Sequence, residues 1–185
     1  MEWTEIELTG VRPLHFKGKR IGTAERRDAS GSRVDSLALR FDTGAHAELR
    51  AAVDVSEHLS NPRVFIIEGT SPDTFLLFGG ERMYWLSTSG EVKSEFVTFR
   101  EWGDEEYWVT DIIQHQRAIV IIYELGVLMI DEALRVRWHQ PKYFNDDLVT
   151  VEGDALKFSR DGEEEWFIRL EDGSVSPHGM ARPLR

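Results

Sequence analysis

The segment from Ala118 to Trp138 determines the fold of this chain. It reads AIVIIYELGVLMIDEALRVRW, in which apolar runs at 119–122 and 127–130 are separated by a short stretch that contains a glycine. A third run, 134–138, follows an Asp-Glu-Ala stretch. Runs of four or five residues have the usual length of β-strands, and Gly and Asp favour the tight turns of hairpins. The segment therefore predicts three antiparallel strands joined as a meander.

The same pattern occurs on both sides of this segment. Residues 75–96 and 148–170 each contain three apolar runs separated by turn residues. The copies begin 44 and 29 residues apart, at Phe75, Ile119 and Leu148, and a further strand is predicted at 107–114. We therefore predict three related meander units without a fixed period.

The first third of the chain also favours strands. Residues 37–41 and 49–55 alternate between apolar and polar side chains around a turn, which predicts a hairpin; a short helix over 45–59 is the alternative. The run 64–67 is apolar at every position and should be buried on both faces. The expected fold is all-β, with antiparallel meander units arranged as a sandwich, an open barrel or a propeller-like stack. One domain over 1–185 is expected, with a subdivision into 1–63 and 64–185 left open.

Residues 75–175 resemble the blades of PQQ-type or WD-type β-propellers. The likeness is carried by 120–131, an apolar strand, a Gly turn and a second apolar strand that ends in Asp, and by 134–138, which ends in Trp. Residues 167–175 are similar to the turn of such blades. The resemblance implies twisted four-stranded antiparallel sheets, although a complete ring needs a longer chain. It assigns no cofactor-binding or metal-binding residue here.

Charge is the strongest functional signal. The 185 residues include 22 Lys and Arg and 33 Asp and Glu, which gives a net charge of −11. Residues 1–63 are neutral, with ten basic and ten acidic side chains, so residues 64–185 carry the whole excess. This balance disfavours a broad nucleic-acid surface, and an acidic face instead attracts a basic protein by electrostatic steering.

Residues with catalytic or metal-binding potential are present but scattered. The chain has no cysteine, so disulfides, thiolate zinc sites and cysteine nucleophiles are excluded. Glu152 and Asp154 form one carboxylate pair suited in type to a hydrolase, and the six histidines show no compact metal-binding spacing. We assign no catalytic, cofactor or metal residue from the sequence.

The leading functional hypothesis is a non-enzymatic, acidic protein-binding module, such as an inhibitor or immunity-type protein for a basic partner. A hydrolase and a structural assembly protein are the alternatives. No apolar run is long enough to cross a membrane as a helix, and a cytoplasmic location is expected. Acidic residues and loop aromatics, which often anchor protein interfaces, are the candidate contacts: Trp102, Asp104, Glu105, Glu106, Tyr107, Glu163, Glu164 and Glu165.

Overall fold

A computed structural model describes residues 1–7, 10–27, 34–52, 63–69, 73–79, 82–97, 109–143, 146–162 and 164–176. These residues form seventeen β-strands and no helix, which confirms the predicted all-β class. The strands are β1 (Glu2–Glu7), β2 (Val11–Phe16), β3 (Lys19–Arg27), β4 (Val34–Phe41), β5 (His46–Ala52), β6 (Arg63–Glu68), β7 (Thr74–Gly79), β8 (Arg82–Ser87), β9 (Val92–Val97), β10 (Val109–His115), β11 (Ala118–Tyr123), β12 (Gly126–Ile130), β13 (Val136–Pro141), β14 (Asp146–Glu152), β15 (Ala155–Arg160), β16 (Glu164–Arg169) and β17 (Val175–Ser176).

The strands form four antiparallel sheets in chain order. The first sheet is β2–β5, the second β6–β9, the third β10–β13 and the fourth β14–β17. Each sheet is an up-and-down meander, because every strand pairs with its neighbours in sequence. The exception is β1, which pairs with the free edge of β6 and makes the second sheet five-stranded.

Apolar side chains hold the sheets face to face. Three hydrophobic clusters lie between the first and second, the second and third, and the third and fourth sheets. Val64 and Ile66 of β6 belong to the first cluster, whereas Phe65 and Ile67 belong to the second. Successive side chains on a strand point to opposite faces, so a strand packed on both sides must be apolar throughout. This explains the apolar run 64–67 and confirms that both of its faces are buried.

The result is a propeller-like stack of four sheets. Of the three architectures that the sequence left open, this is the one observed. Among the described residues, none of the three clusters joins the first sheet to the fourth, so each end sheet has one outer face without a packed neighbour. Thr23, Arg40 and His46 form a row on the outer face of the first sheet, and Lys157 and Glu165 lie on that of the fourth.

The two ends of the stack differ in what they carry. The first and third turns that the structure describes lie together at one end of the strands, which we call the hairpin end. It includes the turns at 17–18, 42–45, 88–90, 116–117, 131–135, 153–154 and 170–174. The opposite end, which we call the linker end, carries the described turns at 124–125 and 161–162 and the residues 142–143 that follow the third sheet.

A turn repeated at the hairpin end reveals a period that the sequence analysis missed. The turn before the fourth strand of each sheet contains a residue of left-handed conformation: Gly44, Gly90, Leu134 and Gly173. These positions follow one another at intervals of 46, 44 and 39 residues. The predicted third unit did not fit this period because its first residue, Leu148, lies in the first strand of a sheet. The first residues of the other two units, Phe75 and Ile119, lie in second strands.

The predicted hairpin near the start of the stack is present. β4 and β5 pair with Leu37 opposite Leu49 and Leu39 opposite Ala47. The helix considered over 45–59 is wrong for the part that the structure describes, because His46–Ala52 is a strand; positions 53–59 lie outside the described residues.

Candidate partner-binding site

The structure describes two of the eight candidate contact residues. Glu164 and Glu165 are adjacent in β16 and are exposed. Trp102, Asp104, Glu105, Glu106, Tyr107 and Glu163 lie outside the described residues, so their assignment stays a prediction. The strands on either side of 102–107 run to and from the linker end, since β9 ends there at Val97 and β10 begins there at Val109. Glu164 begins β16 at the same end.

The fourth sheet concentrates the negative charge of the chain. Residues 146–176 contain ten acidic and three basic side chains, a net of −7 out of −11. In the described part of the chain, no hydrophobic cluster covers the outer face of this sheet. Glu152, Glu164 and Glu165 have side chains that are 54%, 77% and 55% exposed. The site is therefore a highly accessible anionic surface.

One lysine is shared by two carboxylates on the outer face. Lys157 Nζ lies 2.8 Å from Glu165 Oε1 and 3.9 Å from Glu152 Oε1. The hydrogen bond to Glu165 raises the pKa of Lys157, with the charges of Glu165 and Glu152 acting in the same direction. Since one positive charge faces two negative ones, this part of the sheet keeps a net negative charge.

A buried ion pair fixes the linker end of the site. Arg160 donates from Nε to Asp146 Oδ1 at 2.8 Å and from Nη2 to Asp146 Oδ2 at 3.2 Å. The backbone N–H of Tyr143 donates to the same Oδ2 at 2.8 Å, and the Arg160 guanidinium lies 4.2 Å from the centre of the Tyr143 ring. Glu164 is 4.0 Å from Arg160, at the edge of this cluster. The negative charge of Asp146 is therefore neutralised inside the fold, whereas the carboxylate of Glu164 remains exposed to solvent.

Lys142 completes this cluster from the connection between the third and fourth sheets. Its ammonium donates to the backbone carbonyls of Asp146 and Tyr143 at 2.8 and 3.3 Å, and its own N–H donates to the Leu125 carbonyl at 3.0 Å. Burial lowers the pKa of Lys142, although nearby carboxylates, first among them Asp146, oppose the shift. The cluster acts as a latch that orients the acidic sheet relative to the third sheet.

Among the described residues, the two carboxylates of the hydrolase hypothesis have different surroundings, and His115 lines the same cleft as Asp154. Glu152 faces Lys157, whereas Asp154 lines a cleft at the hairpin end. His139 lies between the second and third sheets, where its Nε2 shares a hydrogen bond with the Tyr123 hydroxyl and its ring packs edge-on against Phe96. Burial lowers the pKa of His139. In the part of the chain that the structure describes, no three His, Asp or Glu side chains are grouped closely enough to hold a metal ion.

Sequence reasoning missed the latch at Asp146, Arg160, Tyr143 and Lys142. Asp146 and its neighbour Asp147 are the same residue type in the sequence, yet Asp146 is 1% exposed and Asp147 is exposed. The signal available in the sequence was the lone Arg160 at the end of a strand in a strongly acidic segment. Pairing of β14 with β15 places Arg160 directly opposite Asp146.

Comparison with known proteins gives structural similarities only. No family model matches the chain, and no curated protein matches it. Among solved structures, BamB from Moraxella catarrhalis aligns with a TM-score of 0.41 and 12% identity over 85% of this chain and 54% of that one. BBS1N in complex with ARL6DN aligns with a TM-score of 0.35 and 15% identity over 92% of this chain and 59% of that one. Both are β-propeller proteins, and the chain spans a little more than half of the length of each.

No helix in the described part of the chain has the length and apolarity needed to cross a bilayer.

Proposed function

We propose that the chain is a non-enzymatic binding module that recognises a basic protein partner through its acidic fourth sheet. A role as an inhibitor or immunity-type protein is the form of this function that we favour. The observation that carries the proposal is the placement of seven of the eleven net negative charges on the sheet that closes the stack. Exposed charges of one sign steer an oppositely charged partner and increase the rate of association.

Two features of the sheet support a binding role. The outer face is a twisted but continuous surface, held by the pairing of β14, β15 and β16 and by the latch at Asp146. A rigid surface loses little conformational freedom when a partner binds. Tyr143, at the linker end, is also 53% exposed and offers an aromatic contact beside the acidic sheet. In this proposal the four sheets, which resemble PQQ-type or WD-type blades, are the scaffold that supports the binding surface.

The experiment compares two charge-reversed variants against an identified basic partner. The partner is isolated on the immobilised chain at low salt, identified and purified, and its affinity is then measured by calorimetry. We expect the double variant Asp147→Lys/Glu152→Lys to bind about tenfold more weakly, since reversing rim charges weakens steering and attraction (about 1.4 kcal/mol). Wild-type affinity should fall steeply as the salt concentration rises.

The matched control reverses two exposed acids on the second sheet, Glu2→Lys and Asp73→Lys, which changes the net charge by the same amount. If both double variants weaken binding equally, net charge rather than the fourth sheet accounts for the interaction. Affinity that does not respond to salt would contradict the proposal in its entirety.

A further inference from the structure

A polar cleft opens at the hairpin end between the third and fourth sheets. Its volume is about 650 Å³, which is within the range of small-molecule sites. The third sheet contributes the turn around Gln116, the end of β12 and the turn that begins at Asp131, and the fourth sheet contributes Asp154, Leu170 and Glu171. A hydrogen bond of 2.7 Å from the Leu170 N–H to the Asp154 carbonyl joins the two turns of the fourth sheet. The cleft is thus bounded by hydrogen-bonded hairpins on both walls.

Some charges of the cleft are neutralised by ion pairs within one wall. The charges that remain on the two walls have opposite signs. On the third sheet, Arg135 binds Asp131 at 2.9 Å, and the exposed Arg117 lies 3.7 Å from Glu132. Arg137 remains on this wall, and within the described residues the structure records no ion pair for it.

The facing wall carries Asp154 and Glu171, for which the described residues likewise supply no basic partner. The cleft therefore presents a guanidinium on one side and two carboxylates on the other. A ligand with a single charge would satisfy one wall and be repelled by the other.

A β-bulge directs Arg137 into the cleft. Met129 pairs with Trp138 and Ile130 pairs with Val136, so Arg137 is the extra residue of β13. Val136 consequently packs toward the second sheet and Trp138 toward the fourth, although two residues spaced this way normally share a face. Bulges occur frequently beside binding sites, where they change the direction of a side chain.

The equivalent bulge in the second sheet shows what is particular to Arg137. In β9, Lys93 is the extra residue, and it forms an ion pair with Glu91 two positions earlier. In β13 the residue two positions earlier is Arg135, which itself binds Asp131. The third sheet therefore repeats the bulge and its basic residue but replaces the acid that would neutralise that residue.

We propose that this cleft binds a zwitterion of amino-acid or short-peptide size. The anionic carboxylate of the ligand pairs with Arg137, for which a planar guanidinium offers two parallel hydrogen bonds. The ligand ammonium lies between Asp154 and Glu171. An aliphatic side chain contacts the apolar atoms of Ala118, Met129 and Leu170, which also line the cleft. This site is separate from the outer face of the fourth sheet and does not depend on the proposed protein partner.

The test uses the dipeptide glycyl-leucine and two blocked analogues. N-acetyl-glycyl-leucine lacks the cation, and glycyl-leucinamide lacks the anion. Binding is measured by calorimetry and by the amide NMR shifts of Gln116, Ala118 and Glu171. We expect the zwitterion to shift these resonances and each blocked analogue to bind at least tenfold more weakly.

Two single substitutions assign the two charges separately. Arg137→Gln should remove the preference for glycyl-leucine over its amide, and Glu171→Gln should reduce the preference over the acetylated form. Arg137→Lys keeps the charge and should retain part of the preference. That result would show that the loss in Arg137→Gln comes from the missing charge and not from a folding defect. The matched control is Lys93→Gln, which removes the basic residue of the equivalent bulge and should leave all three affinities unchanged.

Three results would overturn the proposal. The first is a dissociation constant for glycyl-leucine weaker than about 10 mM, which corresponds to less than about 3 kcal/mol of binding. The second is equal affinity for the blocked and unblocked peptides. The third is an unchanged preference in both Arg137→Gln and Glu171→Gln when the folded state is intact by NMR.

Discussion

Replacement of Asp146 by Asn tests whether the latch between the third and fourth sheets contributes to stability. The Asp146 side chain is fully buried, and it accepts two hydrogen bonds from Arg160 and one from the Tyr143 N–H. Loss of one charge from a buried ion pair typically costs about 3–5 kcal/mol. Arg160 is 34% exposed and is partly solvated by water, and Asn can still accept from Tyr143, so we expect about 2–3 kcal/mol. For a chain of this size that loss lowers Tm by roughly 5–10 °C.

The measurement is urea unfolding followed by tryptophan fluorescence, because Trp138 and Trp166 both pack in the interface that the latch closes. Asp147→Asn is the matched control: it removes the same charge from the exposed neighbouring position and should change the free energy of unfolding by less than about 0.5 kcal/mol. A double-mutant cycle with Arg160→Met should give a coupling energy of about 1 kcal/mol or more. A cost below about 1 kcal/mol for Asp146→Asn, or strictly additive effects, would refute the role of this ion pair.

Two further substitutions test the repeated turns at the hairpin end. Gly173→Ala places a Cβ 2.8 Å from the Trp138 ring at a φ of +73°, and it should destabilise the fold by about 2 kcal/mol in the same urea assay, whereas Gly162→Ala, at a φ of +76° with no atom within 4 Å, should cost only about 1 kcal/mol. Equal costs for the two glycines would show that contact with Trp138 is unimportant. For Asp131, burial acts to raise the pKa, but hydrogen bonds from Arg135 and the neighbouring backbone outweigh it and hold the pKa below its usual value of 3.8. Its contribution to stability is therefore present above that value and is lost as the pH falls below it, so the difference between wild type and Asp131→Asn should shrink between about pH 5 and pH 2; a constant difference would contradict this assignment.

Local sequence patterns predicted the strands because the apolar run or alternation that favours a strand lies within the strand itself. The runs 64–67 and 119–122 are apolar at every position, and both are buried on two faces. The stacking order was not predictable in the same way, since it depends on which strand begins each sheet. The apolar run at Leu148 resembled those at Phe75 and Ile119, yet it lies in a first strand, with Val149 and Val151 exposed at the sheet edge.

The candidate site was predictable in its charge but not in its geometry. Clustering of Glu164 and Glu165 with other acids is visible in the sequence. Their different environments depend on strand pairing, which places Glu165 opposite Ser159 beside Lys157 and Glu164 opposite Arg160. The bulge at Arg137 was also hidden, because a single extra residue leaves the apolar pattern of β13 nearly unchanged.

The pairing of β1 with β6 makes the first sheet and the fourth sheet differ in how easily each one opens. Glu2 pairs with Glu68 and Glu7 with Arg63, so the whole first sheet is a loop whose two ends return to neighbouring strands of the second sheet. Terminal repeats of a linear array fray first, but while β1 stays paired with β6 the first sheet can open only as a closed loop, which gains less conformational entropy. The fourth sheet has no such tether among the described residues, and its last strand pairs at only two positions. Amide hydrogen exchange should therefore begin in the acidic fourth sheet and reach the first sheet last.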